Sequence, residues 1–158
     1  MPLFGLHSRN LHRMDSQTSP ERSAQMRTVL GRNTRPELLV RSLLHRMGYR
    51  FRLHHAKLPG RPDLVFERRR KVVFIHGCFW HRHQDANCRL TRTPKTRLEY
   101  WEPKFVRNKG RDLEVTRQLR EAGWQTLILW ECQLRGSAAA EIEERLKSFL
   151  GPTRTTRL

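Results

Sequence analysis

The chain has few acidic residues, few cysteines and no long apolar run. Asp and Glu number 15 against 32 Lys and Arg in 158 residues, which leaves a net charge of +17. A folded domain with this excess repels itself, so the composition favours a polyanionic partner. No apolar run approaches the roughly 20 residues that span a bilayer. No segment pairs a basic face with a long apolar one, so nucleic acid is favoured over a membrane surface.

Cysteine is scarce as well as odd in number, with three in the chain. The first residues, Met1–Leu6, lack the apolar core of a secretory signal, so we expect a cytoplasmic protein in a reducing environment. Under those conditions three cysteines favour metal thiolates over disulfides. The length predicts one domain with a single core.

The order of predicted elements indicates an α/β domain with a small mixed sheet between helices. We expect residues 1–22 to form a flexible basic arm, 23–150 the folded domain and 151–158 a basic tail. A capping box, Thr34-x-x-Glu37, starts the first predicted helix, and Gly48 ends it. Further helices are predicted over 104–122 and 137–150. Strands are predicted over 49–53, 63–66, 71–76 and 124–130, the last of them buried.

Residues 76–83, His-Gly-Cys-Phe-Trp-His-Arg-His, concentrate histidine, cysteine and aromatic side chains. Solvated loops and ordinary cores do not collect these residue types together, whereas a metal site beside an aromatic wedge does. Three cysteines and one histidine form a Cys₃His set, a common closed zinc site: Cys78, His83, Cys88 and Cys132. The spacing is looser than in a paired C-x-x-C motif.

Asp63 opens one predicted strand and His76 ends the next. This is the layout of a restriction-type nuclease core, in which groups on neighbouring strands converge on one magnesium ion. Here Phe74 stands where a second carboxylate is expected, and His76 stands where a lysine is expected. The alternative is that Asp63 only completes a turn.

Three segments closely resemble the very-short-patch repair (Vsr) endonucleases: 58–63 (Leu-Pro-Gly-Arg-Pro-Asp), 74–81 and 130–132 (Trp-Glu-Cys). The similarity runs from about Ser23 to Gly136. It implies a restriction-endonuclease-like mixed sheet flanked by helices, with a structural zinc site. It also implies an enzyme that nicks double-stranded DNA beside the thymine of a T·G mismatch, which arises when 5-methylcytosine deaminates at a methyltransferase site.

The resemblance also implies roles for single residues. Asp63 and the main-chain carbonyl of Ile75 match the Mg²⁺ ligands. Cys78, His83, Cys88 and Cys132 match the Zn²⁺ ligands; 84–87 lengthens the intervening loop, so His81 stays an alternative to His83. His76 is implied as general base or water-positioning group, and His81 as a second phosphate-facing group. The matching acids are Glu37, which would hold water at the metal, and Asp112.

Both acids have alternatives, since Glu37 also belongs to the capping box and Asp112 can be a solvated helix charge. Trp124 and Trp130 are expected in the core. The remaining matches concern DNA. The resemblance implies a wedge that enters the duplex from the major groove, formed by Phe79, Trp80 and Trp101. It also implies that Met26 and Val29 approach from the minor groove and that Lys104 and Asn108 read the T·G pair.

Two other functions fit the same sequence. One is a zinc-stabilised DNA-binding module without catalysis, and the other is a homing- or restriction-type nuclease that cuts both strands of paired DNA. For the mismatch nickase we expect a monomer that associates with the nucleoid when bound to DNA. We also expect a functional link to a DNA cytosine-5 methyltransferase and, as a further partner class, mismatch-repair proteins.

Overall fold

Four helices and four short strands make up the part of the chain that the computed structural model describes, residues 32–136 and 139–153. From Asn33 onward the chain forms one compact unit. None of the described helices is both long and apolar enough to cross a membrane. In chain order the elements are α1 (Arg35–Arg46), β1 (Arg52–Leu53), β2 (Leu64–Phe66), β3 (Lys71–His76), α2 (Cys78–His81), α3 (Leu98–Glu121), β4 (Gln125–Trp130) and α4 (Ala139–Leu150).

The strands form one mixed sheet in the order β1-β2-β3-β4. β2 is antiparallel to both β1 and β3, whereas β4 is parallel to β3, with His76 opposite Trp130. Leu64 pairs with Val73, so the start of β2 lies beside the end of β3. The same end of the sheet therefore holds the residue before β2 and the last residues of β3 and β4, and we call it the site end of the sheet.

Both faces of the sheet are covered, which confirms the predicted α/β class. Leu64 and Phe66 share one cluster with apolar residues of α1 and α4, while Val65 packs with residues of α3 in a second cluster. This division follows from the alternation of side chains along a strand. Burial on both faces explains why β2 and β3 are almost continuously apolar.

Two element boundaries differ clearly from the sequence prediction. β1 keeps only Arg52–Leu53, because Tyr49 turns into the core and donates to the Gly151 carbonyl. α3 begins at Leu98 and not at Lys104, and it contains Pro103. A proline in the second turn loses one backbone hydrogen bond, and the packing of Trp101 against Phe105 in the same helix offsets this loss.

β4 is less buried than predicted. Within β4 only Leu129 is fully buried, and Trp130 is half-buried. The reason is its place at the edge of the described sheet. Trp124, just before β4, is buried as expected.

Three residues of the basic run 68–71 bind main-chain carbonyls within the protein. Arg69 donates to the carbonyls of Leu150 and Pro152, and Lys71 donates to the carbonyl of Phe149. Arg70 donates to the Ala122 carbonyl and lies over the Trp124 ring. These cations therefore bind the carbonyl ends of α3 and α4, where the helix dipole favours positive charge.

Replacing Arg69 with methionine should lower the free energy of unfolding by about 1–2 kcal/mol, because two charge-assisted hydrogen bonds are lost, one to the last residue of α4 and one to Pro152 just after it. Arg68→Met is the matched control, since Arg68 is exposed and its loss should change stability by less than about 0.5 kcal/mol. Urea unfolding of both variants checks this. Equal stabilities of the two variants would contradict it.

Candidate active site and metal centre

Asp63 is held against the end of β3. The Ile75 N–H donates to Asp63 Oδ2 at 2.7 Å. The preceding turn packs on α3 through Gly60, which has a φ of +69° and no room for a side chain: a Cβ there would lie 2.5 Å from Val115 Cγ1. Glycine is thus required at this turn, and the turn places Asp63 at the site end of the sheet.

The Asp63 carboxylate is costly to ionise in the absence of a cation. Burial raises its pKa to about 6 against the lowering effect of the Ile75 N–H, and the charge of Glu37 raises it further. The charges of Arg41 and His81 lower it. A buried pair of carboxylates is the hard, oxygen-donating environment that Mg²⁺ prefers, so the residues present fit the predicted metal.

Glu37 is 3% exposed and accepts hydrogen bonds at both oxygens. Thr34 Oγ1 donates to Oε1 at 3.0 Å, and Asn33 N and Arg41 Nη2 donate to Oε2 at 3.0 and 2.7 Å. The Glu37 N–H also donates to Thr34 Oγ1 at 3.5 Å, so the Thr34 half of the predicted capping box is formed, while the Glu37 carboxylate accepts from the N–H of Asn33 instead of that of Thr34. The same carboxylate also faces the site, with His54 Nε2 at 3.8 Å from Oε2.

Arg41 and His54 belong to this cluster and were missed in the sequence analysis. His54 Nδ1 lies 3.8 Å from Asp63 Oδ1, and its Nε2 lies 3.1 Å from Arg41 Nη2. The helical i, i+4 spacing of Glu37 and Arg41 was a signal for the arginine. Nothing in the pattern around His54 marked it, because the contact depends on the bend before β2.

His76, His81 and Asp112 form a second cluster at the site end of the sheet. The two imidazole rings stack with centroids 3.8 Å apart, and His81 Nδ1 lies 2.5 Å from Asp112 Oδ2. Burial lowers the pKa of His76 to about 4, and the neighbouring His81 adds to this effect. His76 is therefore neutral at pH 7 and able to accept a proton. Asp112 engages Nδ1 of His81, so Nε2 is the ring nitrogen left for a substrate.

These three side chains could also hold a metal, since their ligand atoms lie within 4.8 Å of one another. Two imidazoles suit a transition metal better than Mg²⁺. A histidine bonded to a carboxylate and stacked on a neutral histidine is the arrangement of an acid–base group. We therefore interpret this cluster as proton-handling groups and assign the hard cation to the carboxylate cluster.

The four residues of the Cys₃His set converge, with ligand atoms within 4.8 Å of one another. His83 Nδ1 lies 3.3 Å from Cys132 Sγ and 3.9 Å from Cys78 Sγ. Tetrahedral Zn²⁺ needs ligand atoms about 3.5–3.8 Å apart, so the donor set fits. Burial raises the pKa of the Cys78 thiol to about 12, and a bound cation is what makes such a thiol a thiolate. His81 is directed to Asp112, which leaves His83 in the set.

Trp130 separates the two histidine environments. Its ring stacks on His83 with centroids 4.3 Å apart and meets His76 edge-on at 5.3 Å. The interpretation of Trp130 as simple core packing was therefore incomplete. It is half-buried and forms the wall shared by the Cys₃His cluster and the histidine stack.

The predicted wedge residues form one half-exposed aromatic cluster. Phe79 packs edge-on against Trp80, Trp101 and Phe105 at 5.1–5.3 Å. Lys104 Nζ lies 5.0 Å from the centroid of the Trp80 ring. α2 contributes Phe79 and Trp80 to this cluster, next to His81, and α3 contributes Trp101 and Phe105.

Asn108 donates from Nδ2 to the Trp80 carbonyl at 3.1 Å, so in this state it holds the wedge. Tyr100 was not singled out in the sequence analysis, yet its hydroxyl lies 3.4 Å from Lys104 Nζ. Met26 and Val29 lie outside the described residues.

Comparison with known proteins supports the resemblance read from the sequence. The family model "DNA mismatch endonuclease Vsr" matches residues 14–87. The type II nicking enzyme V.XorIIP of Xanthomonas oryzae is 48% identical over 141 residues, 89% of this chain and 100% of that protein. The DNA mismatch endonuclease Vsr of Escherichia coli is 42% identical over 139 residues, 86% and 87% of the two chains.

The type II nicking enzyme V.NmeAIP of Neisseria meningitidis is 36% identical over 136 residues, which cover 86% of this chain and 94% of that protein. These matches cover 86–89% of this chain, and the predicted family is confirmed. The chain belongs to the DNA mismatch endonuclease Vsr family and is an endodeoxyribonuclease, a hydrolase.

Proposed function

We propose that this protein is a Mg²⁺-dependent enzyme that nicks one strand of duplex DNA next to the thymine of a T·G mismatch. One observation supports this most strongly. A buried carboxylate, Asp63, and a stacked histidine pair lie at the site end of the sheet beside a half-exposed aromatic cluster. Cleavage groups and a wedge for a weakened base step thus occur together. The relatives named nicking enzymes support single-strand cleavage.

In this proposal Asp63 and the main-chain carbonyl of Ile75 hold the cation, and Glu37 holds water at the site. A Mg²⁺ ion held there would supply charge that binds phosphate oxygens and lowers the pKa of the attacking water. His76 is the water-positioning group or general base; its lowered pKa keeps it neutral but makes it a weak base, which favours the positioning role. His81, bonded to Asp112, directs Nε2 to the phosphate, where it stabilises charge or protonates the leaving oxygen.

Mismatch recognition is assigned to the aromatic cluster. Phe79, Trp80 and Trp101 enter the duplex from the major groove, and opening a base step costs least where pairing is already defective. Lys104 and Asn108 reach the T·G pair, and Asn108 does so by exchanging its bond to the Trp80 carbonyl. Met26 and Val29 approach from the minor groove.

The net charge supports duplex DNA as the partner, because phosphate contacts supply most of non-specific affinity. A deaminated 5-methylcytosine as substrate links the protein functionally to a DNA cytosine-5 methyltransferase and to mismatch-repair proteins. We propose a monomer acting on the nucleoid in the cytoplasm.

Nicking of a T·G duplex should require both Mg²⁺ and Asp63. Asp63→Asn should leave less than a few per cent of wild-type cleavage with mismatch binding nearly intact, because a neutral amide holds the cation poorly while the DNA-facing surface is unchanged. Gel assays of T·G and matched duplexes, with and without Mg²⁺, measure this. Glu121→Gln, which changes an exposed carboxylate on α3, is the control.

The same assay separates the alternatives. An inert DNA-binding module would bind without Mg²⁺-dependent nicking, and a restriction-type nuclease would cut both strands of the matched duplex. Either result would overturn the proposed function. Cleavage by Asp63→Asn near the wild-type level would overturn only the assignment of the metal carboxylate.

We further propose Zn²⁺ as the occupant of the Cys₃His cluster. Cys132→Ser should lose the tightly bound metal and lower thermal stability, because this ligand connects the end of β4 to α2. Elemental analysis after dialysis against a chelator should find about one Zn²⁺ per wild-type chain and much less in the variant. One equivalent of Zn²⁺ retained by Cys132→Ser would show that the ligand set is wrong.

Trp80→Ala should reduce mismatch preference more than total DNA affinity. Stacking on a base is worth roughly 1–3 kcal/mol, so the preference should fall about ten- to a hundredfold, while electrostatic binding survives. Competition between T·G and matched duplexes at fixed salt measures the ratio. Trp80→Phe keeps a ring and should retain most of the preference. An unchanged ratio in Trp80→Ala would identify Trp80 as packing only.

A further inference from the structure

A buried arginine connects the acidic groups of the site. Arg41 lies one turn after Glu37 on α1 and is 9% exposed. Its Nη2 lies 2.7 Å from Glu37 Oε2 and 3.1 Å from His54 Nε2, and its Nη1 donates to Asn33 Oδ1 at 2.6 Å. One guanidinium group thus contacts the entry to α1, an acid of the site and the histidine next to Asp63.

Stability alone is a poor reason for this arginine. Burying a guanidinium–carboxylate pair costs desolvation that its attraction often fails to recover. In addition, Arg41 Nε is buried without a hydrogen-bond partner among the residues that the structure describes, and an unpaired buried donor costs about 1–3 kcal/mol. Leu44, one turn after Arg41 on the same side of α1, is fully buried in an apolar cluster, so an apolar side chain would suit this region of α1.

The position of the charge points to the carboxylates. Glu37 and Asp63 carry like charges, and the positive charge of Arg41 opposes the effect of Glu37 on Asp63. Arg41 also takes a lone pair of Glu37 Oε2, the oxygen that faces His54. The arginine therefore limits both the net charge of the site and the freedom of Glu37 to move.

We propose that Arg41 is a positioning residue of the metal site, which holds Glu37 back from direct ligation of the cation so that Glu37 holds water there instead. This inference rests on the proposed function. In this role Arg41 lowers the affinity of the site for the cation and raises the rate of cleavage. The cation is repelled by the guanidinium, and the reacting water is kept in one orientation by a fixed carboxylate.

Removing Arg41 should therefore have two opposite effects. Divalent metal should bind more tightly, because a positive charge leaves and Glu37 becomes a free ligand. Nicking should become slower, because the water loses its fixed acceptor. A purely structural arginine would behave differently, since its loss would loosen the site and weaken metal binding together with activity.

The test compares Arg41→Met, Arg41→Gln and Arg41→Lys with wild type. Arg46→Met is the matched control, because it removes the same charge from an exposed position of the same helix. Free Mn²⁺ is measured by electron paramagnetic resonance in protein solutions without DNA, and binding that survives in Asp63→Asn is subtracted. Nicking rates on a T·G duplex are measured at saturating Mg²⁺, well below the unfolding temperature of each variant.

Arg41→Met and Arg41→Gln should bind Mn²⁺ at least threefold more tightly and nick at least tenfold more slowly than wild type. Arg41→Lys keeps the charge but loses the forked guanidinium that contacts Asn33, Glu37 and His54 at once. It should bind Mn²⁺ within about threefold of wild type and nick at a rate between those of wild type and Arg41→Gln, whereas Arg46→Met should stay within about threefold of wild type in both measurements. Adding Glu37→Gln to Arg41→Gln should slow nicking little further, because the arginine acts through Glu37. If Arg41→Met does not fold, Arg41→Gln, which also removes the positive charge, carries the same expectation.

Weaker or unchanged Mn²⁺ binding in both variants, wild-type nicking by either, or fully additive losses in the double variant would overturn the inference. In those cases wild type would still nick the mismatch, so the proposed function would stand. A wild-type protein that neither binds Mn²⁺ through Asp63 nor nicks would overturn the proposed function together with the inference.

Discussion

The hydrogen bond from the Ile75 N–H to Asp63 Oδ2 is the interaction on which the site depends. It forms because β2 and β3 are antiparallel, so the residue that precedes one strand meets the last residues of the other. It fixes the carboxylate beside His76 and lowers the cost of its negative charge. A shift of one residue in this register would move Asp63 to the opposite face of the sheet.

The Cys₃His cluster and the histidine stack are mechanically connected. α2 is a single turn, yet it carries Cys78 at its start and His81 at its end. Trp130, between the two groups, touches His83 on one side and His76 on the other. A metal bound by the cysteines would therefore support the position of His81 as well as the fold, and it would do so next to Phe79 and Trp80, which α2 also carries.

The charge of the chain is divided between two uses. Arg69, Arg70 and Lys71 bind carbonyls at the ends of α3 and α4, and Arg41 is buried among acids. These cations are unavailable to a phosphate backbone in this structure. The net charge of the chain is therefore larger than the positive charge that is available to bind DNA. The exposed basic residues that remain are still in excess over the acidic ones.

The sequence by itself determined the family, the α/β class and the candidate residues, because a dense string such as 76–83 and a capping box are local signals of residue type and spacing. The short extent of β1, the early start of α3 and the exposure of β4 were decided by packing, which overrides local preference. Tertiary structure alone placed His54 against Arg41, Glu37 and Asp63, and Trp130 between two histidines. These contacts join residues far apart in the chain, and only the register of the sheet and the bend before β2 bring them together.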